Sequence, residues 1–184
     1  MKENLDQNQI LMAEFQYASD TAHQANDDRG KVFEVFLANI VTLVSAAVLP
    51  SILNVDNKLI FVFVFIGLFM FGVITLFQLT RTRVAWVSSV KAMNQIKDYY
   101  IKHNKELENA FKWRVDSIPK ANSKSSIIFA QSVSIMILNS LNVSLIIYFV
   151  FFFGFRLLYI PVLGIPFMIC LALHFVIWER LLKK

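Results

Sequence analysis

Cysteine is almost absent from this chain: Cys170 is the one thiol in 184 residues. It lies inside an apolar run, so no disulfide framework and no cysteine-based metal site can form, and a structural thiol in a helix is expected. Charge is scarce too, at 17 % of residues, and it gathers in a few blocks. The sequence holds no Walker loop, no HExxH, no GxSxG and no Rossmann glycine pattern, which removes the motif-borne routes to nucleotide, zinc-hydrolase and serine-hydrolase chemistry. The first ten residues are polar and lack the short apolar stretch of a signal peptide. No internal repeat or low-complexity tract stands out.

What the chain has instead is apolar length. Hydrophobic residues make up 57 %, the mean hydropathy is +0.55, and ordinary soluble domains hold only about 45–50 % apolar residues. Four apolar runs, residues 35–53, 59–79, 127–153 and 157–178, approach or reach the ~20 residues that cross a bilayer. The expected fold is an all-α integral membrane protein with four transmembrane helices. It has an N-terminal cytoplasmic helix and a helical cytoplasmic insert between spans 2 and 3. The parts expected are a cytoplasmic amphipathic helix at 1–31 that continues into span 1, a membrane hairpin at 32–80, the insert at 81–125, a second hairpin at 126–178 and a basic tail at 179–184. With four spans, sixteen of the eighteen Lys and Arg fall on the side of the termini and the insert. Only Lys58 and Arg156 fall on the other side. That asymmetry puts the termini and insert in the cytoplasm and the chain in the inner membrane. The net charge of +5 then reads as topology and contact with membrane lipids rather than as nucleic-acid binding.

The N-terminal stretch is patterned although polar. Leu11, Phe15, Ala18, Ala22, Ala25, Arg29, Val32 and Phe36 recur at alternating spacings of four and three, the seam of a helix that packs lengthwise on another. Leu11, Phe15, Ala18, Ala22 and Ala25 are the candidate assembly seam, used within one subunit against the insert or between copies. His23 and Asp27 stand four apart, which is ordinary helix-surface chemistry. In the insert, Trp86, Val90, Met93, Ile96, Tyr100, Leu107 and Phe111 form an approximate helical stripe. One straight helix from Arg81 to Arg114 would travel ~50 Å from the membrane. Residues 115–125 could return at most ~40 Å. A reversal near His103 and Asn104 is therefore expected, with Asn104 capping a second helix. Pro161 and Pro166 predict irregular or kinked first turns in the fourth span.

No catalytic, cofactor-binding or metal-binding residue is predicted, and no enzyme activity. His103 with Asp98, Glu106, Glu108 and Asp116 has no spacing that asks for a hydrolytic site. The polar groups inside the apolar runs carry more. Gln131, Ser132, Asn139 and Asn142 fall within an arc of about 100° on the third span. Such amides, Gln131, Asn139 and Asn142 above all, either join helices to one another or line a wet pore between copies. His174 on the fourth span is expected to pair with Asn39 or Glu34 on the first, as polar groups are expensive to leave bare in lipid.

The segment Glu14-Phe-Gln-Tyr-Ala-Ser-Asp-Thr-Ala-His-Gln-Ala-Asn-Asp-Asp-Arg29, followed at once by a membrane hairpin, resembles small prokaryotic multi-span membrane proteins of uncharacterised type. More loosely, residues 10–80 look like the membrane effectors of bacterial antiphage defence systems. The resemblance implies self-association in the inner membrane and membrane disruption when a partner or nucleotide signal arrives. This chain has no recognisable nucleotide-binding domain, so a signal would come through a partner protein or through assembly. The expected function is a homo-oligomeric membrane effector or ion-channel-like pore in antiviral defence or stress. The alternative is a non-conducting membrane sensor or scaffold that recruits a cytoplasmic partner. The partners expected are membrane lipids, further copies of the chain and a cytoplasmic protein, with no nucleic acid and no cofactor.

Overall fold

Helices account for all the regular structure among the described residues, 6–52, 58–152 and 160–183 of a computed structural model. In chain order they are α1 (Gln7–Ile52), α2 (Lys58–His103), two short 3₁₀ turns at Lys105–Asn109 and Val115–Ser117, α3 (Ile127–Ile147) and α4 (Ile160–Leu182). A π turn at Tyr148–Phe152 succeeds α3. The helix ends are set by local chemistry. Asp6 Oδ1 accepts from the Asn8 N–H at 3.0 Å and opens α1. Ser126 Oγ accepts from the Phe129 N–H at 3.3 Å and opens α3. Both satisfy first-turn donors that a helix leaves orphaned.

The insert departs from expectation in one respect. The chain does leave its helix at His103, and Asn104 does act as a cap, its Oδ1 accepting from the Glu106 N–H at 3.1 Å. The element it caps is a single 3₁₀ turn rather than a second α-helix. The polar residues from Asn104 to Ser126 offer too little apolar periodicity to pack a full helix. Pro161 and Pro166 both fall inside α4, which continues through them. Pro166 lacks the N–H that would bond the carbonyl of residue 162, and the next carbonyl, Leu163 O, accepts from Ser144 Oγ of α3 at 3.1 Å. The linker at 53–57 and the stretch 153–159, with Arg156 and Tyr159, lie outside the described residues.

The chain divides into two compact units. The first is Met1–Arg29 with Arg81–Ser123. Here the start of α1 runs antiparallel to the end of α2. Gln7 Nε2 donates to the Tyr99 hydroxyl at 2.6 Å, the Lys97 ammonium lies 5.8 Å from the centre of the Phe15 ring, and Ala25 shares a groove with Thr82 and Ala85. Ala18, Ala22 and Ala25 are buried, so the small-residue face is used inside one chain. The loop after α2 folds back onto it. Buried Asn94 donates its amide to the Arg114 carbonyl at 3.0 Å, and the Arg114 guanidinium pairs with Asp98.

The second unit is Gly30–Thr80 with Lys124–Lys184, and its polarity is inverted relative to a soluble core. Thr75, Thr80, Ser132, Asn139, Ser140, Asn142, Ser144 and His174 are buried, whereas Phe63, Met70, Ile165, Met168 and Leu173 are exposed. Water gives no reason to turn those side chains outward; hydrocarbon does, because lipid tails are as apolar as leucine. Three helices, Leu59–His103, Ile127–Phe151 and Leu163–Leu182, are long and apolar enough to cross a membrane. The first apolar run is helical to Ile52, but the side chains of Leu43 and of residues 46–52 lie outside those described.

Candidate functional site: a buried polar layer in the membrane unit

Ser132, Met136, Ser140 and Ser144 recur every fourth residue of α3, and Asn139 stands beside them on the same face. All five are buried. The face packs on α4, which runs antiparallel, so that residues early in α3 meet residues late in α4. Trp178 Nε1 donates to Ser132 Oγ at 3.1 Å. One level further along, Asn139 Nδ2 lies 3.3 Å from His174 Nε2. At the far end Ser144 Oγ divides its proton between Ser140 O of its own helix, at 3.2 Å, and Leu163 O of α4.

Geometry fixes the histidine tautomer. His174 Nδ1 is 2.8 Å from the Cys170 carbonyl oxygen, which only accepts, so Nδ1 carries the proton. Nε2 is then the lone pair that accepts from the Asn139 amide. The edge of His174 meets Phe69 of α2 with ring centres 6.0 Å apart and planes at 88°. The Cys170 thiol is 3.3 Å from the same Nδ1, but that nitrogen is already a donor to the carbonyl and is not placed to take the thiol proton. The pair therefore lacks the geometry of a Cys–His nucleophile.

Gly72 of α2 closes the layer from the third side. A Cβ added there would collide with the Asn139 side chain, nearest its Oδ1. The amide is thus pressed on the bare backbone of α2. Its Oδ1 is buried without a hydrogen-bond partner, and so is Oε1 of Gln131. An orphaned carbonyl oxygen in hydrocarbon is costly, and at Asn139 it marks a point where the layer is incompletely satisfied.

The expected pairing of His174 with Asn39 or Glu34 is not formed. Asn39 Nδ2 donates to Val35 O of its own helix at 2.8 Å, Glu34 is exposed, and His174 bonds to α3. Depth in the membrane allowed several partners; helix adjacency chose one. Of the arc on α3, Ser132, Asn139 and Asn142 are buried within the chain and Gln131 is half-buried. Gly72, Cys170, Ser140, Ser144 and Trp178 were not anticipated as members of this layer. The four-residue recurrence from Ser132 to Ser144 and the i,i+4 pair Cys170/His174 are the signals that point to them. In the other unit His23 and Asp27 are exposed, and Asp98 serves Arg114. Among the described residues no three His, Cys, Asp or Glu side chains converge on a metal-sized site. No family model, no curated protein and no solved structure matches the chain.

Proposed function

We propose that this chain is a non-enzymatic, multi-pass protein of a bacterial inner membrane, crossing four times with both termini and the insert in the cytoplasm. In this reading it is a membrane-embedded scaffold or sensor of a defence or stress system, whose cytoplasmic helices recruit a partner protein. The observation that carries it over a pore between copies is the burial of Ser132, Asn139 and Asn142 inside a single chain. Of the amides best suited to line a wet path, Asn139 meets His174 of α4 and the Gly72 backbone of α2, and Asn142 is buried within the chain. The sides left exposed on the membrane helices are rich in apolar residues and suited to lipid.

Flux through reconstituted vesicles separates the two readings. A scaffold leaves an ion or dye gradient intact, and Asn139→Leu lowers thermal stability in detergent by roughly 1 kcal/mol for its lost bond to His174. A wild-type flux that this leucine abolishes, with assembly unchanged, would overturn the scaffold reading in favour of a homo-oligomeric pore.

A further inference from the structure

Two arginines of the first unit have charge and no counter-charge. Arg29 is the seam position next after Ala25, and Ala25 shares its groove with Thr82 and Ala85 of α2. Thr82 and Ala85 flank Arg83, so Arg83 is level with Ala25, and Arg29 lies one helical turn along α1 toward its apolar run, where its charge still acts on Arg83. Arg29 Nε is buried and has no hydrogen-bond partner. Arg83 is held rigidly. Its Nε donates to Ala121 O and its Nη2 to Lys120 O, each at 3.2 Å, and its guanidinium carbon lies 5.0 Å from the centre of the Trp86 ring. Among the described residues no carboxylate comes within ion-pair distance of either arginine. Asp28, the nearest acid in sequence, instead lines the groove with Arg81. Burial draws the Arg83 guanidinium below the usual arginine range, and the Arg29 charge draws it lower. Two half-buried cations that repel one another are stabilised by an anion set against both.

Their position along the helices says where that anion comes from. Arg29 precedes the apolar run 35–53 by six residues, and Arg83 lies four residues past the run 59–79. At 1.5 Å per residue they stand about 6–9 Å beyond the hydrocarbon. A headgroup layer is roughly 5–8 Å thick, so Arg83 falls within it and the long Arg29 side chain reaches its outer edge. Trp86 belongs to the same layer, where its amphipathic ring is favoured.

We propose that Arg29 and Arg83 form a phosphate-binding site, the Arg83 fork being oriented by the 120–121 carbonyls and Trp86, and that its occupant is the phosphodiester of an anionic phospholipid. Guanidinium groups suit this ligand because their planar N–H pairs match phosphate oxygens. Arg83 keeps Nη1 free of the two backbone bonds, and Arg29 Nε supplies a second donor. The site would fix lipid to the protein by a charge-assisted contact rather than by general attraction to a negative surface.

The test uses the full chain in mild detergent, with short-chain phosphatidylglycerol, the matching diacylglycerol without phosphate, and inorganic phosphate as probes. Thermal unfolding and retained lipid in native mass spectrometry are read for wild type, Arg29→Gln and Arg83→Gln. Phosphatidylglycerol is expected to raise the melting temperature and to remain bound. Diacylglycerol and millimolar inorganic phosphate should do neither. Each glutamine variant should bind phosphatidylglycerol about tenfold more weakly, the loss of one charge-assisted bond. Without lipid Arg29→Gln should melt no lower than wild type, because a repulsion is removed and its Nε has no hydrogen bond to lose, whereas Arg83→Gln also gives up its bonds to the 120–121 carbonyls. The sign reversal in Arg29→Gln separates a binding role from a folding defect. Equal stabilisation by inorganic phosphate, lost in both variants, would overturn the lipid as occupant and assign the site to a soluble phosphate. Phosphatidylglycerol binding unchanged in both variants, or an Arg29→Gln variant that melts lower with and without lipid, would overturn the site itself.

Discussion

Gly72 has no side chain, and the Asn139 amide lies where one would go. Gly72→Ala should therefore force the amide or the α2 backbone to move, an overpacking cost of about 1–3 kcal/mol. Gly67, five residues earlier on the same helix, has nothing within 4 Å of an added Cβ. Gly67→Ala should raise stability by roughly 0.5–1 kcal/mol through helix propensity alone. Opposite shifts of the unfolding midpoint in detergent check the pair; equal shifts would show that the close approach is not formed. Of this contact the sequence showed half. A glycine inside a span and an asparagine on another are both visible as composition. Which two meet depends on helix order and rotation, and these are set by many weak packing terms at once. The same reason explains His174. Its need for a partner came from its place in an apolar run, but its partner is Asn139 rather than Asn39 or Glu34.

The packed faces of elements were easier to read. The alternation at Ala18, Ala22 and Ala25 marks one side of α1, and those three side chains are the buried ones of that stretch. Their burial lies within the unit made by α1 and α2, so a charge there should act on folding of that unit before it acts on assembly. Ala18→Glu should cost several kcal/mol, the usual penalty for an unpaired buried charge. Ala13→Glu, on the exposed side of the same helix, should stay within about 0.5 kcal/mol. Limited proteolysis between Asn104 and Ser123 reads the difference: rapid cleavage is expected for Ala18→Glu alone. Asn94 was not legible. It is a single polar residue in a helix rich in them, and only the returning loop, which brings the Arg114 carbonyl to it, gives it a role. Asn94→Ala removes that tether while Arg114 O keeps its bonds from the Ser117 N–H and hydroxyl, so the cost should be that of one ordinary hydrogen bond, about 0.5–1.5 kcal/mol. Faster amide exchange along 111–121 is the expected consequence.

At the scale of the whole molecule, the length and spacing of the apolar runs made legible an all-helical structure with three helices long and apolar enough to cross a membrane, because a bilayer imposes one dimension on every span. The proposed four-span topology in an inner membrane, with termini and insert cytoplasmic, can be checked by single-cysteine labelling. With Cys170 replaced by alanine, a cysteine at Ser123 should react only after the inner membrane is opened. A cysteine at position 54 should react from the periplasm. Reaction of the Ser123 variant in intact cells would invert the topology. The touch of Gly72 on Asn139 also has a bearing on how such a chain can change over many generations. The two positions are not free to drift alone: alanine at 72 becomes acceptable only once residue 139 has shrunk, as in Asn139→Ser. Lineages should therefore pass through the small residue at 139 first, and descendants should keep either the glycine with the amide or the alanine with its smaller neighbour.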